Sequence, residues 1–194
     1  MQLQEANKIV QKLIDVPVGF EGVSVHHVTH DGEPIVWVRY KKKDQVDQLG
    51  GEHFSVTFTE KTKLLKGFMH LEEQFDTDVV SDEEKAQKIA FEFLKKHAAD
   101  IVDSVEVRWI RPLNKTPVSS PHDDPFVLKS GTKIIGMRVK LLIQSNKKYG
   151  WVIVGKNGKV ITFERDIGWD TVNKCRSTER WLHDSWVAQQ KTPA

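Results

Sequence analysis

Cysteine is nearly absent: Cys175 is the only one among 194 residues. No disulfide can therefore form within the chain. Long apolar runs are lacking too, since no stretch approaches the roughly 18 residues of a membrane-spanning helix. Residues 1–11 are polar and amphipathic and lack the apolar core of a signal peptide. These absences point to a cytoplasmic location and no membrane insertion. Charge of one sign is also missing: 29 lysines and arginines face 27 acidic residues, a net charge of +2. A dedicated nucleic-acid binder needs a concentrated basic surface, so no nucleic-acid partner is expected. The only dense basic run, Lys41-Lys42-Lys43, reads as a solvated strand end or loop.

Catalytic signatures are missing as well. There is no glycine-rich phosphate loop. Gly50-Gly51 lies between two expected strands, precedes no helix, and reads as a flexible turn. Cys175 stands beside Lys174 and Arg176, whose charge can lower a thiol pKa, but no motif places a histidine next to it. His26, His27 and His30 cluster in sequence, and His122-Asp123-Asp124 could join them at a metal. On a strand, however, His26 and His30 lie ~13 Å apart at about 3.3 Å per residue. Zinc bonds are about 2 Å long, so the two cannot share an ion on straight backbone. No catalytic residue, metal site or cofactor is expected.

What the chain does contain is a pattern written twice. Shifted by about eighty residues, Ala6 falls on Ala86, Lys8 on Lys88 and Ile9 on Ile89. Leu13 then meets Phe93, and Ile14 meets Leu94. Each segment carries apolar residues at i, i+3, i+4, i+7 and i+8, one stripe of an amphipathic helix. Ser81 and Glu84 form a capping box for the second helix. Asp82 and Glu83 at its start and Lys95, Lys96 and His97 at its end complement the helix dipole.

Strand patterns follow each helix. In the first copy they cover residues 23–28, 35–40, 54–58 and 64–71. In the second they cover 105–110, 134–143, 151–154 and 160–165. β-Branched residues and period-two alternation carry these assignments. Met137, Val139, Leu141 and Ile143 make one apolar face against the mostly polar Arg138, Lys140, Leu142 and Gln144. Asn157-Gly158 predicts a type I′ hairpin, because both central residues must take positive φ. Glu60-Lys61-Thr62 does the same job in the first copy with poorer turn chemistry. Short sequential connections favour meanders, each with a helix across one face.

The segment from Val80 through Ser81, Asp82, Glu83, Glu84, Lys85, Ala86, Gln87, Lys88 and Ile89 to Ala90 resembles the opening helix of PepSY-type domains. Gly155-Lys156-Asn157-Gly158-Lys159-Val160-Ile161 resembles the hairpin that closes them. The resemblance covers most of 80–165 and, more faintly, 1–71. It implies a cystatin/PepSY-like helix-on-sheet fold of a bacterial kind, found in protease propeptides and spore-associated Gram-positive proteins. It implies inhibition or binding of partner proteins, and it supplies no catalytic residues. Such relatives are usually exported or membrane-tethered, a pattern this chain does not share.

The copies differ in one connection. The first two strands of copy one are joined by the compact turn Asp31-Gly32-Glu33-Pro34. Copy two has residues 112–132 there, with four of the chain's seven prolines. Loops longer than about 12–15 residues are usually functional or disordered. This one is either mobile or a binding loop displaying His122, Asp123 and Asp124. The tail also has no counterpart. Trp169, Trp181 and Trp186 are half of the six tryptophans. A helix capped by Ser177 or Thr178 and running toward Gln190 would gather Trp181, Leu182 and Trp186 on one side. Its indoles either pack on a sheet face or, with Arg176 and Arg180, meet a partner.

The expected protein is thus α+β: two helix-plus-four-stranded antiparallel units, 1–75 and 76–168, and a tryptophan-rich helical tail, 169–194. The expected function is a non-enzymatic binding module with a protein partner or a second copy of itself. The alternative is a small-molecule binder or enzyme using a helix–sheet cavity, where His27, Arg108 or His122 would converge. A weaker reading is a sheet-surface nucleic-acid binder using Trp37, Trp109 and the lysines.

Overall fold

The computed structural model describes residues 1–43, 48–76, 82–113 and 125–190. Helix α1 (Leu3–Leu13) leads into four strands, β1 (Phe20–His30), β2 (Glu33–Lys42), β3 (His53–Thr59) and β4 (Leu65–Leu71). Helix α2 (Glu83–His97) leads into β5 (Val105–Pro112), β6 (Met137–Ile143), β7 (Lys148–Val154) and β8 (Val160–Ile167). The tail adds a two-residue pair, β9 (Trp169–Asp170) and β10 (Cys175–Arg176), then α3 (Asp184–Gln190). No helix among the described residues is long and apolar enough to cross a membrane.

The architecture is α+β, built on one antiparallel sheet of eight strands in the order β1-β2-β3-β4-β8-β7-β6-β5. Each run of four strands is a meander, as the short turns require. Asn157 and Gly158 both take positive φ in the β7–β8 turn, which is what the Asn-Gly pair predicted. The two runs join through β4 and β8, with Gly67 opposite Glu164, Phe68 opposite Phe163 and Met69 opposite Thr162. Gly67 makes this seam possible, because a Cβ there would lie 2.7 Å from the Phe163 carbonyl oxygen and 3.0 Å from Leu182. The strands β1 and β5 are left as the sheet edges, and each is bulged, between Gly22 and Ser24 and between Val107 and Trp109.

Both helices share one apolar cluster with the sheet. Ala6 and Val10 of α1 and Ala86, Ala90, Phe93 and Leu94 of α2 pack with Val36, Val38, Val139, Leu141, Val152 and Phe163. At the start of α2 the Asp82 carboxylate accepts the Lys85 amide at 2.7 Å. The observed cap is therefore Asp82, one residue after the expected Ser81, which lies outside the described residues.

The opposite sheet face carries a second core of Trp37, Met69, Leu71, Phe75, Ile153, Ile161, Leu182 and Val187, with Phe126, Leu128 and Ile134 from the long connection. Two expectations fail here. The tail helix is only α3, starting at Asp184, and neither Ser177 nor Thr178 caps it. The cause is a shared anchor. Arg176 Nη1 and His183 Nε2 each reach an oxygen of Glu164 at 2.7 Å. A helix across the seven steps from Arg176 to His183 would set the two residues about 10 Å apart along its axis at 1.5 Å per residue. The lysine run is not a solvated end either. Lys41 is buried, and its ammonium donates to the carbonyls of Gln48 and Glu52. Lys42 bridges Glu52 and Glu72.

Candidate functional site

The face opposite the helices is divided in two. Over β1–β4 and β8 it is closed by the tail. Glu164, at the seam, is buried between Arg176 and His183. Burial alone would raise its carboxyl pKa, but those two neighbours outweigh it and hold the group far below the usual carboxylate range. Asp184 takes both Arg39 guanidinium nitrogens, at 2.5 and 3.1 Å, and the Gly50 amide at 2.6 Å. Gly50 is therefore pinned, and its carbonyl also accepts the Lys129 amide. The Trp181 indole donates to the Thr29 carbonyl and lies between Trp37 and Trp186. Buried histidines complete the region: His30, His53 and His183 all have pKa values lowered from the ordinary histidine value, chiefly by desolvation.

Over β5–β7 the same face is open and chemically different. Strand register places Trp109, Lys140 and Trp151 in one cross-strand row. The next row pairs Arg111 directly with Arg138. The Lys140 ammonium sits 5.5 Å from the Trp109 ring centre, 4.4 Å from Tyr149 and 5.4 Å from Trp169. Arg111 lies over Trp109 at 5.1 Å, and Arg138 over Trp151 at 5.3 Å. These are cation–π distances. Burial, then the charges of Arg138 and Arg108, push the Lys140 pKa down. Among the described residues, no carboxylate stands within ion-pair distance of Lys140 or Arg111.

The sequence-derived candidates separate accordingly. Trp169, 43 % exposed, belongs to the open lattice. Arg176, Trp181 and Trp186 belong to the closed region, and Arg180 there gives its carbonyl to the His183 amide. His122, Asp123 and Asp124 lie outside the described residues. The first histidine cluster disperses: His26 stacks on Trp37, His27 meets Glu60, and His30 bonds the Asp166 carbonyl. His27 on β1 and Arg108 on β5 stand on the two outermost strands of the sheet and do not converge. Sequence reasoning missed Arg111, Arg138, Lys140, Tyr149 and Trp151 as a group. Their alternation was readable, but the register that gathers them was not.

The open face can hold an anion and stack a planar group. Its rows contain no serine, threonine or cysteine among the described residues that could act as a nucleophile. A separate cleft of about 390 Å³ lies on the helix side, lined by Phe54, Phe68, Phe93, His70, His97 and Lys159. There, burial and the Lys159 charge lower His70 to about 4. Comparison with protein-family models, curated proteins and solved structures finds no match.

Proposed function

We propose that this protein is a non-enzymatic binding module that takes an anionic partner on the open sheet face over β5–β7. One observation carries the reading: Lys140 is held among three aromatic rings with Arg111 nearby, and among the described residues no carboxylate pairs with either cation. A half-buried cation in such surroundings favours an incoming negative charge. The closed half of the face uses its polar groups for internal pairs, which leaves the open half for recognition. Retention on an anionic resin at low salt tests the proposal. The Lys140→Gln, Arg111→Gln pair should elute at clearly lower salt than the parent, while equal elution contradicts the proposal.

The two halves are further read as copies of one PepSY-like unit. The shared element order and the matching bulges in β1 and β5 support this. The partner-binding role that the resemblance implies agrees with a binding module. The aromatic cleft beside α1 and α2 supports a second reading, a small apolar ligand with an anionic end near Lys159.

A further inference from the structure

Two polar groups of the helix-side cleft have no use within the fold. His70 lines the cleft and is 1 % exposed. Its Nε2 stands 2.5 Å from Glu72 Oε1. Burial alone would raise the Glu72 carboxyl, but Lys42 and His70 outweigh it and hold it below the usual carboxylate range. A carboxylate only accepts, so Nε2 carries the proton and donates. Nδ1 is then an acceptor, and it makes no hydrogen bond. Lys159, in the β7–β8 turn, lines the same cleft, and its ammonium has no carboxylate partner among the described residues. That ammonium lies 5.2 Å from the Phe75 ring centre, and the His70 ring centre lies 5.0 Å from the same ring.

From this arrangement, and resting on the apolar-ligand reading of the cleft above, we infer that the cleft binds an aromatic monocarboxylic acid. Its carboxyl group is shared between His70 Nδ1 and Lys159, and its ring lies against Phe54, Phe68 and Phe93.

The head group follows from what the two polar groups lack. The imidazole nitrogen needs a donor, and the ammonium needs an acceptor. A carboxyl group with one proton supplies both, its O–H to Nδ1 and its other oxygen to Lys159. An amine would meet Lys159 with like charge. Asp15, exposed at the rim of the cleft, disfavours a second carboxylate. His97 is not the acceptor, since its Nδ1 donates to the Leu13 carbonyl at 2.7 Å. Its ring is half-buried, so water can serve the other nitrogen.

The body follows from the walls. Phe54, Phe68 and Phe93 form a chain of ring contacts at 5.9 and 5.7 Å, and Phe93 stacks on His97 at 4.7 Å. Rings gain from tilted and edge contacts with a further ring beyond the area buried. Val18 stands fully exposed at the mouth. At about 30 Å³ per water-sized atom, the 390 Å³ cleft holds about a dozen non-hydrogen atoms. A benzene ring with a short acid chain is of that size.

Binding then takes up a proton. The free acid is ionised above about pH 4–5. Free His70 is neutral there, lowered to about 4 by burial, then by Lys159 and His53 against the pull of Glu72. The complex holds one proton between the two groups. Affinity should therefore fall as pH rises, by up to about tenfold per unit.

The test titrates the full chain with 3-phenylpropanoate, its primary amide and octanoate. Calorimetry at pH 5.5, 6.5 and 7.5, in buffers of unlike ionisation heat, gives affinity and proton uptake. The ¹⁵N signals of the His70 ring report its protonation. 3-Phenylpropanoate should bind best, tighten as pH falls and take up a proton, and Nδ1 should change from unprotonated to protonated. Lys159→Gln, at an exposed position, should weaken the acid by up to about fivefold and leave the amide unchanged. An amide that binds as well as the acid at every pH would overturn the inference and leave the apolar-ligand cleft standing. Octanoate binding more tightly than 3-phenylpropanoate would overturn the aromatic assignment. Acid binding that leaves the His70 signals in place would put the carboxyl group elsewhere and also overturn the inference. Failure of all three probes to bind would remove both the inference and the cleft reading.

Discussion

Asp184→Ala should be among the most damaging single changes in the tail. The Asp184 side chain is 7 % exposed and its partner Arg39 only 2 %. The substitution removes two guanidinium contacts and the acceptor of the Gly50 amide. Breaking a buried pair from one side typically costs about 3–5 kcal/mol, because the remaining charge stays desolvated. The orphaned amide draws on the same disruption, so its cost overlaps rather than adds. Domains of ordinary stability hold about 5–15 kcal/mol, so this is a large share. At about 2–4 °C per kcal/mol for a chain of this size, Tm should fall by roughly 6–20 °C. Urea unfolding followed by tryptophan fluorescence measures the loss directly. The double variant Arg39→Met, Asp184→Leu removes both charges and should recover part of the loss, while the Gly50 amide stays without its acceptor. A loss below about 1 kcal/mol in Asp184→Ala, or a double variant as weak as the single one, would refute the idea that this pair fastens the tail.

Other consequences concern the same closed region. Leu182 is buried against Gly67 at the seam, so Leu182→Ala should cost about 2–5 kcal/mol in denaturant unfolding. His30, His53, His70 and His183 are all held below the ordinary histidine value, His70 at about 4. A depressed pKa adds stability above the unfolded value of 6.5 and loses it as pH falls through the folded value. Stability should therefore decline from about pH 6.5 toward 4, by at most about 1.4 kcal/mol per pH unit for each histidine. Unfolding curves at pH 7.5, 6 and 5 would show this, and a flat profile would contradict it. Asp82→Ala should cost about 1 kcal/mol through loss of the α2 cap, measurable as a small shift in the urea midpoint.

Much of the fold was legible because it rests on local pattern. Alternation located all eight strands of the sheet, and the apolar stripes located α1 and α2. The joining of the sheets was not legible, since it depends on close approach at Gly67, and a strand glycine has several meanings. Burial on strands β2 and β3 was not legible either. Arg39, Ser55 and Thr57 alternate with apolar residues as if on a wet face, yet all three are buried. The tail that covers them lies more than a hundred residues away, beyond any local window. In the tail, helical spacing of Trp181, Leu182 and Trp186 suggested a helix. The convergence of Arg176 and His183 on Glu164 outweighed that propensity. The open face was hidden for a related reason. Lys140 looks like any solvent-facing strand lysine until register sets Trp109 and Trp151 on either side of it.

The division of the outer sheet face is tested most directly by the indole N–H resonances of the six tryptophans during titration with a polyanion. Trp109, Trp151 and Trp169 border the open lattice, whereas Trp37, Trp181 and Trp186 pack together in the closed region. The first three signals should shift with added ligand while the other three stay in place. Shifts confined to Trp37, Trp181 and Trp186, or spread evenly over all six, would contradict the account.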